Sequence, residues 1–237
     1  MTWSIIARDP AEGAIGIAVA TRFFAVGARV PHIMSGVGAV ATQALVNPFY
    51  GTRGLQLLRE GVPATDVVRL LVEADPGQAH RQVHVMDSNG RFAAHTGAAC
   101  IDWCGHIQDE GFSVAGNMLA GPQVIAETAA AFKTNAALPF ARRLIAALKA
   151  GEAVGGDKRG KQSAALLIHG KEAYSDLDLR VDDHADPLLE LERLEKVSRM
   201  HWVHFRQFLA TQGNPAGTTD RTTIEAGIAA GQAADPA

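Results

Sequence analysis

The order of apolar and polar positions predicts an antiparallel hairpin at the start of the chain. Residues 2–8 tend towards alternation and residues 14–20 are almost wholly apolar, with the turn-forming stretch 9–13 (DPAEG) between them. Two such strands joined by turn residues pair as a hairpin. Because the second strand has no polar face, both faces of its sheet are expected to be covered.

Further strands are predicted from short apolar runs. Residues 36–42 (GVGAVAT) combine small and apolar residues, which indicates a buried strand with tight packing or close backbone approach. Residues 82–87 and 91–96 alternate on either side of an Asn-Gly turn, which is a strong hairpin signal. The remaining predicted strands are 111–118 and 163–169.

Helical spacing of apolar residues then predicts two pairs of helices and a final single helix. The pairs are 50–60 with 64–74 and 122–133 with 139–150, and an amphipathic helix runs from Asp186 to about Leu209. Hairpins between helix pairs favour an α+β fold, a four-layer αββα sandwich of two mainly antiparallel sheets.

We expect one domain over residues 1–209. Residues 210–237 are rich in Gly, Ala, Thr and Pro with almost no large apolar residues, which predicts a flexible C-terminal tail. Trp202 and Phe205 on the final helix can pack on a second subunit or on the chain's own sheet. A homo-oligomer is therefore one of the expected states.

The amino-acid composition restricts the classes of partner that we expect for this chain. Lys and Arg number 22 against 25 Asp and Glu, a net charge of −3, which argues against nucleic acid as a partner. No apolar run is long enough to span a membrane, and no secretory signal opens the sequence, so we expect a cytoplasmic protein. We expect a small-molecule or peptide substrate and no cofactor.

The two cysteines raise the question of a metal site. Cys100, Cys104 and His106 form a C-x3-C-x-H pattern, but structural zinc sites usually have four ligands and often a second cysteine pair. No second pair exists, so no metal is predicted. A metal-dependent hydrolase that uses these three residues is the alternative.

Thr2 is the first candidate for catalysis. Small residues at the second position normally permit removal of Met1, which would leave the Thr2 hydroxyl and a free α-amine on one residue. A terminal amine has a pKa of about 7.7–8.0, so it can act as general base for its own hydroxyl near neutral pH. The sequence predicts Thr2 as a nucleophile; the alternative is a threonine that simply begins a strand.

Two other strand ends carry candidate site residues. Arg22 ends the second strand of the hairpin, where it can lie near Thr2, depending on the register. Asn117 follows a glycine near a strand end, and its amide can donate to a developing oxyanion or stabilise a turn. We expect Asn117 to be catalytic and Arg22 to bind substrate.

A basic loop supplies the remaining candidates. Residues 155–163 (GGDKRGKQS) fit the first spacings of the phosphate-binding pattern G-x-x-x-x-G-K-[ST], but Gln162 stands where a hydroxyl must hold magnesium. Nucleotide binding is therefore not predicted. Arg159 and Lys161 are expected to bind a substrate carboxylate, and Asp157 to orient them or contact a substrate amine. A solvated basic loop is the alternative.

The ionisable cluster 180–184 (RVDDH) favours a structural interpretation. Asp182 can pair with Arg180, or Asp183 can cap the helix that follows. A serine hydrolase triad is not predicted, because the sequence lacks the G-x-S-x-G turn.

The chain resembles the bacterial and archaeal family called domain of unknown function 1028 (DUF1028). Six motifs agree in order, over roughly residues 2–195. They are 2–9 (TWSIIARD), 22–28 (RFFAVGA), 36–43 (GVGAVATQ), 116–119 (GNML), 155–166 (GGDKRGKQSAAL) and 179–184 (LRVDDH). The resemblance does not extend to the tail.

That family is similar to the N-terminal nucleophile (Ntn) hydrolases, which implies the αββα sandwich and amide hydrolysis by an N-terminal Thr, Ser or Cys. This chain has Ala20-Thr21-Arg22 where the proteasome-like pattern has Asp-Thr-Arg, and no lysine follows at the usual distance. The resemblance therefore implies roles for Thr2 and Arg22 only. We predict an amidohydrolase for a small, anionic molecule or short peptide; the alternative is a non-catalytic protein that binds an anionic ligand.

Overall fold

The computed structural model describes residues 2–234, which form ten β-strands and seven α-helices. The strands are β1 (Thr2–Asp9), β2 (Ala14–Thr21), β3 (Pro31–Met34), β4 (Gly38–Ala44), β5 (Arg81–Asp87), β6 (Phe92–Thr96), β7 (Trp103–Asp109), β8 (Phe112–Leu119), β9 (Ser163–His169) and β10 (Ser175–Val181). The helices are α1 (Pro48–Arg59), α2 (Ala64–Glu73), α3 (Gln123–Thr134), α4 (Phe140–Ala153), α5 (Pro187–Met200), α6 (Trp202–Phe205) and α7 (Arg221–Ala234).

The strands form two antiparallel sheets. The first has six strands in the order β10-β9-β2-β1-β8-β7, and the second has four in the order β3-β4-β5-β6. The β1–β2 hairpin pairs Trp3 with Ala20 and Asp9 with Ala14, and the Asn-Gly turn joins β5 to β6. The predicted α+β class with two antiparallel sheets is confirmed.

Alternation along β1 distributes its side chains between two apolar clusters. Trp3 and Ile5 belong to a cluster that includes Leu144 and Leu148 of α4. Ile6, by contrast, packs in a cluster with residues of the second sheet. A third cluster joins the outer face of the second sheet to α1 and α2. Both faces of the first sheet are therefore covered, as the apolar character of β2 predicts.

Three strands are not predicted from the sequence, namely β3, β7 and β10. Each lies at the edge of its sheet. β7 and β10 carry several exposed or half-exposed polar residues, and β3 is half-buried along its length. Edge strands lack the continuous apolar run of a central strand, because one side of the strand meets solvent.

The predicted final helix is broken in the structure. α5 begins at an Asp186 cap, whose side chain accepts a hydrogen bond from the Leu189 amide at 3.1 Å, and it ends at Met200. The chain then turns at His201 before the short α6. The Trp202 indole donates to Asp176 O at 2.8 Å and packs on the helical cluster of its own chain.

The segment 210–234, predicted as part of a flexible tail, contains α7. Ile228 of this helix is buried. Gly231 lies so close to His204 that a Cβ would come within 2.4 Å of the imidazole. The small residues that predicted a flexible tail thus let a helix approach the rest of the protein closely. The mobility of the segment stays a prediction. Within residues 2–234, no helix combines the length and apolar character that crossing a bilayer requires.

Candidate functional site

Thr2 lies at the start of β1, between the ends of two neighbouring strands. It pairs with Asn117 of β8, and its Oγ1 lies 3.1 Å from Oγ1 of Thr21 on β2. The hairpin register therefore brings Thr21, and not Arg22, opposite Thr2. Thr2 and Thr21 are both buried, which is expected where a strand end is covered by a second sheet.

A cavity of about 320 Å³ opens beside Thr2. Its polar lining includes Thr2, Gln43, Asn117 and Arg159. The larger part of the lining is apolar and comes from the segment after β2, the end of β4 and the loop before β7; it includes Phe23, Val26, Val30, Leu45 and Ile101. A mostly apolar cavity with a few convergent polar groups is typical of a small-molecule site.

Three buried amide side chains join the two sheets beneath Thr2. Gln43 Nε2 donates to Gln82 Oε1 at 2.8 Å and lies 3.4 Å from Thr2 O. Gln82 Nε2 donates to Gly116 O at 2.8 Å, and Asn117 Nδ2 donates to Gln82 Oε1 at 3.0 Å. Amide side chains suit this position because each has both a hydrogen-bond donor and an acceptor for backbone groups that water does not reach.

The main-chain carbonyls determine how the Asn117 amide is oriented. Gln82 Nε2 faces the carbonyls of Gly105 and Gly116, so Gln82 Oε1 must accept hydrogen bonds. Asn117 Nδ2 therefore faces two acceptors, Gln82 Oε1 and Thr2 O. Asn117 Oδ1 is buried and has no partner among the described residues. A buried acceptor without a donor is costly, and a ligand or water that donates to it removes that cost.

His84 extends the polar network away from the cavity. Ser4 Oγ donates to Gln43 Oε1 at 2.7 Å, so it can only accept from His84 Nε2 at 2.8 Å. Ser113 Oγ, 3.0 Å from His84 Nδ1, then donates to that nitrogen. Full burial, followed by the charge of His106, lowers the pKa of His84 to about 3. His84 is thus a neutral imidazole with its proton on Nε2.

Strained backbone concentrates around the cavity. Among the described residues, the non-glycine residues with positive φ are Ala25 (55°), Ala44 (71°), Asp102 (54°) and Met118 (55°). Ala44 and Met118 line the cavity, and the other two are each next in sequence to a lining residue. Such conformations cost of order 1–2 kcal/mol each and cluster at binding and catalytic sites.

A β-bulge explains the position of Asn117. From Gly116 to Leu119, β8 has one more residue than β7 spans from Trp103 to Gly105. The extra residue interrupts the alternation of side chains at this point of the strand. Bulges of this kind re-aim side chains at the ends of sheets, and this one brings successive residues, Asn117 and Met118, to the same cavity.

The structure separates the predicted cationic residues. Arg159 lines the cavity and pairs with Asp157 at 3.2 Å. Asp157 also accepts from the Arg22 backbone amide at 2.7 Å, and the Arg22 guanidinium donates to Arg159 O. Lys161 lies away from the cavity and pairs with Asp186 at 2.8 Å, a hydrogen bond that raises the Lys161 pKa. Arg22, Asp157 and Lys161 do not line the cavity.

Sequence reasoning missed several polar residues at the site, among them Thr21, Arg29, Gln43 and Gln82. The signal for Thr21 was the hairpin itself, because its short loop determines which residue faces Thr2. Gln43 and Gln82 are polar residues at the ends of apolar strands, where a solvent-facing position was equally consistent with the pattern. Arg29 gave no local signal, since its place at the cavity depends on how the segment after β2 folds.

The cluster 180–184 is structural in its arrangement. Arg180 Nη2 binds both carboxylate oxygens of Asp182, at 3.0 and 2.8 Å. The alternative that Asp183 caps the next helix is wrong, because Asp186 does so and Asp183 accepts from Gln162 at 3.1 Å. The distance in sequence decides this, since a cap must directly precede the helix it caps.

The candidate metal residues do not converge. Cys104 Sγ faces Cys100 O, and His106 Nδ1 lies 2.9 Å from Thr96 Oγ1. Within residues 2–234, no three His, Cys, Asp or Glu side chains are grouped as metal ligands. The described part of the chain therefore gives no support to the alternative of a metal site built from these three residues.

Comparison with known proteins identifies the family. Residues 2–191 match the model of a family described as a family of unknown function, DUF1028. The chain belongs to the DUF1028 family. A crystal structure of a DUF1028 protein from Silicibacter pomeroyi is 35% identical over 93% of this chain and 96% of that chain, with a TM-score of 0.85. The resemblance found in the sequence motifs is thus confirmed at the level of the family.

Two further comparisons give no information about the chemistry of this DUF1028 protein. Anbu (ancestral beta-subunit) from Yersinia bercovieri is 11% identical over 83% of this chain and 94% of that chain, with a TM-score of 0.41. A likeness at that level supports no argument about chemistry. No curated protein matches the chain.

Proposed function

We propose that this protein is an N-terminal nucleophile amidohydrolase that cleaves an amide bond in a small, anionic molecule. The observation that carries the proposal is the position of Thr2, whose side chain lines an apolar cavity at the first residue of β1. The surrounding strained backbone, and an Asn117 Oδ1 that has no partner within residues 2–234, support a ligand site at this position.

The order of layers agrees with the proposed fold, a four-layer αββα sandwich. Helices α3, α4 and α5 contribute to the apolar cluster on one face of the six-stranded sheet. The opposite face shares a cluster with the four-stranded sheet, whose outer face packs on α1 and α2. Each neighbouring pair of layers therefore has an apolar interface of its own.

The mechanism begins with removal of Met1. The freed α-amine of Thr2 takes the proton from its own Oγ1, and Oγ1 attacks the carbonyl carbon of the substrate amide. The C–N bond then breaks, and the amine leaves with the proton held by the α-ammonium. Water hydrolyses the resulting ester on Thr2 Oγ1 and releases the acid. The anionic end of the substrate lies against the cationic part of the cavity lining, which includes Arg29 and Arg159.

Asn117 is the residue that we assign to the oxyanion. Its Nδ2 donates to Gln82 Oε1 at 3.0 Å and to Thr2 O at 3.3 Å. The role requires that one N–H exchange its present acceptor for the oxyanion, and the longer bond to Thr2 O is the weaker of the two.

Labelling with a β-lactone tests the nucleophile without a known substrate. A hydroxyl nucleophile opens the strained ring: an ester forms on Oγ1, the ring C–O bond breaks, and the released oxygen takes the proton. The protein gains the whole mass of the lactone. We expect intact mass to show that Met1 is absent and peptide mapping to place the label on Thr2. Thr2→Ser is labelled, and Thr2→Ala reacts at least about a hundredfold more slowly.

Thr52→Ala is the matched control, because Thr52 is an exposed threonine on α1 outside the cavity. It should react at the wild-type rate. Mature protein from its native host that retains Met1 contradicts the proposal, since the proposed base is then blocked. Labelling of Thr2→Ala at the wild-type rate contradicts it equally.

A further inference from the structure

The mouth of the cavity exposes large apolar side chains. Phe23, Leu45 and Ile101 line it, yet they are 57%, 62% and 59% exposed. Deeper in the lining, Val26 and Val30 are buried. The apolar lining thus includes both buried valines and exposed side chains at the rim. A group that fills the cavity and also covers this rim removes apolar surface from water.

Arg29 lies on the same lining and differs from the other cations near Thr2. Its side chain is exposed and, among residues 2–234, makes no hydrogen bond or ion pair. Arg159 is engaged with Asp157, and Arg22 with Arg159 O. A guanidinium without a partner beside apolar surface suits a carboxylate, which it can bind through two parallel hydrogen bonds.

We propose that the cavity binds N-acyl amino acids, with the apolar acyl chain against the valine lining and the carboxylate on Arg29. The amide bond of such a ligand lies between its apolar and anionic parts. Its N–H is a donor of the kind that Asn117 Oδ1 does not find among the described residues. The ligand class deepens the proposed function and rests on it only for cleavage; binding follows from the cavity and Arg29 alone.

The chemistry of the lining favours this class over other anions. A polyphosphate needs several donors or cations around each phosphate, and Arg29 is joined here mainly by apolar side chains. If Thr2 attacks the acyl carbonyl, the products are a carboxylic acid and a free amino acid. The water consumed supplies the acid's hydroxyl and the proton on the amine, so no further reactant is needed.

Binding is measured with Thr2→Ala, which lacks the nucleophile while alanine still permits removal of Met1. The ligands are N-octanoylglycine, N-acetylglycine and octanamide, used below their micelle-forming concentrations in titration calorimetry. N-Octanoylglycine should bind at least about a hundredfold more tightly than N-acetylglycine, because six buried methylene groups are lost. Arg29→Gln in the same background should weaken N-octanoylglycine by about tenfold to a hundredfold and leave octanamide unchanged.

Arg53→Gln is the matched control, since Arg53 is exposed on α1 and does not line the cavity. It should leave all three affinities unchanged. Cys100 lines the cavity and reports occupancy: N-octanoylglycine should slow alkylation of Cys100 by iodoacetamide in a Cys104→Ser background. These two results locate the ligand in the cavity.

The outcomes separate the two proposals. Absence of saturable N-octanoylglycine binding, or equal binding by the Arg29→Gln variant, overturns the ligand class. Tight, Arg29-dependent binding supports it whether or not cleavage occurs. Wild-type protein that lacks Met1 should release octanoate and glycine from bound N-octanoylglycine. If it does not, the result contradicts the proposed hydrolysis and leaves the ligand class intact.

Discussion

Single buried polar residues determine much of the behaviour of this protein, and His84 is the clearest case. Its two ring nitrogens are satisfied by Ser4 and Ser113, and burial keeps it neutral. The folded pKa of about 3 lies below the ordinary value of 6.5, so the unfolded chain binds a proton that the folded protein does not. Stability attributable to His84 is therefore present above about pH 6.5 and is lost as the pH falls.

Replacing His84 with Gln should remove this pH dependence. Between pH 7 and pH 5, the free energy of unfolding of the wild type should fall by about 2 kcal/mol more than that of His84→Gln. Urea unfolding at both pH values measures the difference. His201→Gln, at an exposed histidine, should retain the wild-type dependence. Equal slopes for wild type and His84→Gln would contradict the assignment.

At the residue scale, a site residue could be predicted when the signal for it lay in the neighbouring sequence. Thr2, Asn117 and Arg159 were predicted as site residues and line one cavity, although their roles stay predictions. Arg22 and Lys161 were predicted from their charge and position. Neither lines the cavity: the Arg22 guanidinium donates to Arg159 O and Lys161 pairs with Asp186, because a cation also pairs with whichever carboxylate or carbonyl its loop approaches.

At the scale of elements, the apolar and glycine patterns were strong guides. The small residues of 36–42 indicated close packing or close backbone approach, and the structure supports close approach at Gly38. This residue has a φ of 152°, and a Cβ on it would lie 2.2 Å from Met86 O of the neighbouring strand. Since the obstacle is backbone, no side-chain rotation relieves it.

Gly38→Ala should therefore destabilise the protein strongly. Gly36→Ala is the matched control, because Gly36 also has a positive φ, 71°, but has open space around it. Gly36→Ala should lower the free energy of unfolding only by the conformational strain, about 1–2 kcal/mol. Gly38→Ala should cost at least about 2 kcal/mol more than Gly36→Ala in urea unfolding. Equal costs would mean that β4 and β5 are not held this closely.

At the scale of the whole molecule, the two sheets meet differently at different points. Apolar residues such as Ile6 and Ile17 fill one part of the interface. Beneath Thr2, Gln43 and Gln82 of the second sheet donate instead to main-chain carbonyls of the first. The polar connection joins the two sheets at the end that carries the cavity.

Gln82→Leu should disrupt this connection. The leucine leaves the carbonyls of Gly105 and Gly116, and the amide of Asn117, without their buried partner. We expect a loss of about 2–5 kcal/mol in the free energy of unfolding, because each orphaned group costs about 1–3 kcal/mol. Gln108→Leu, at an exposed glutamine of β7, should change it by less than about 0.5 kcal/mol. A comparable, small effect at both positions would show that the network contributes little.

The sequence by itself determined the α+β class, the β1–β2 and β5–β6 hairpins, the helix pairs and Thr2 at the head of a buried strand, because turn chemistry and apolar periodicity act over a few neighbouring residues. The tertiary structure decided which polar groups meet Thr2. Thr21, Gln43 and Gln82 reach the site through strand register and the docking of two sheets, and Arg29 reaches the cavity through the path of a loop. These placements depend on contacts between residues distant in sequence, which no local pattern encodes.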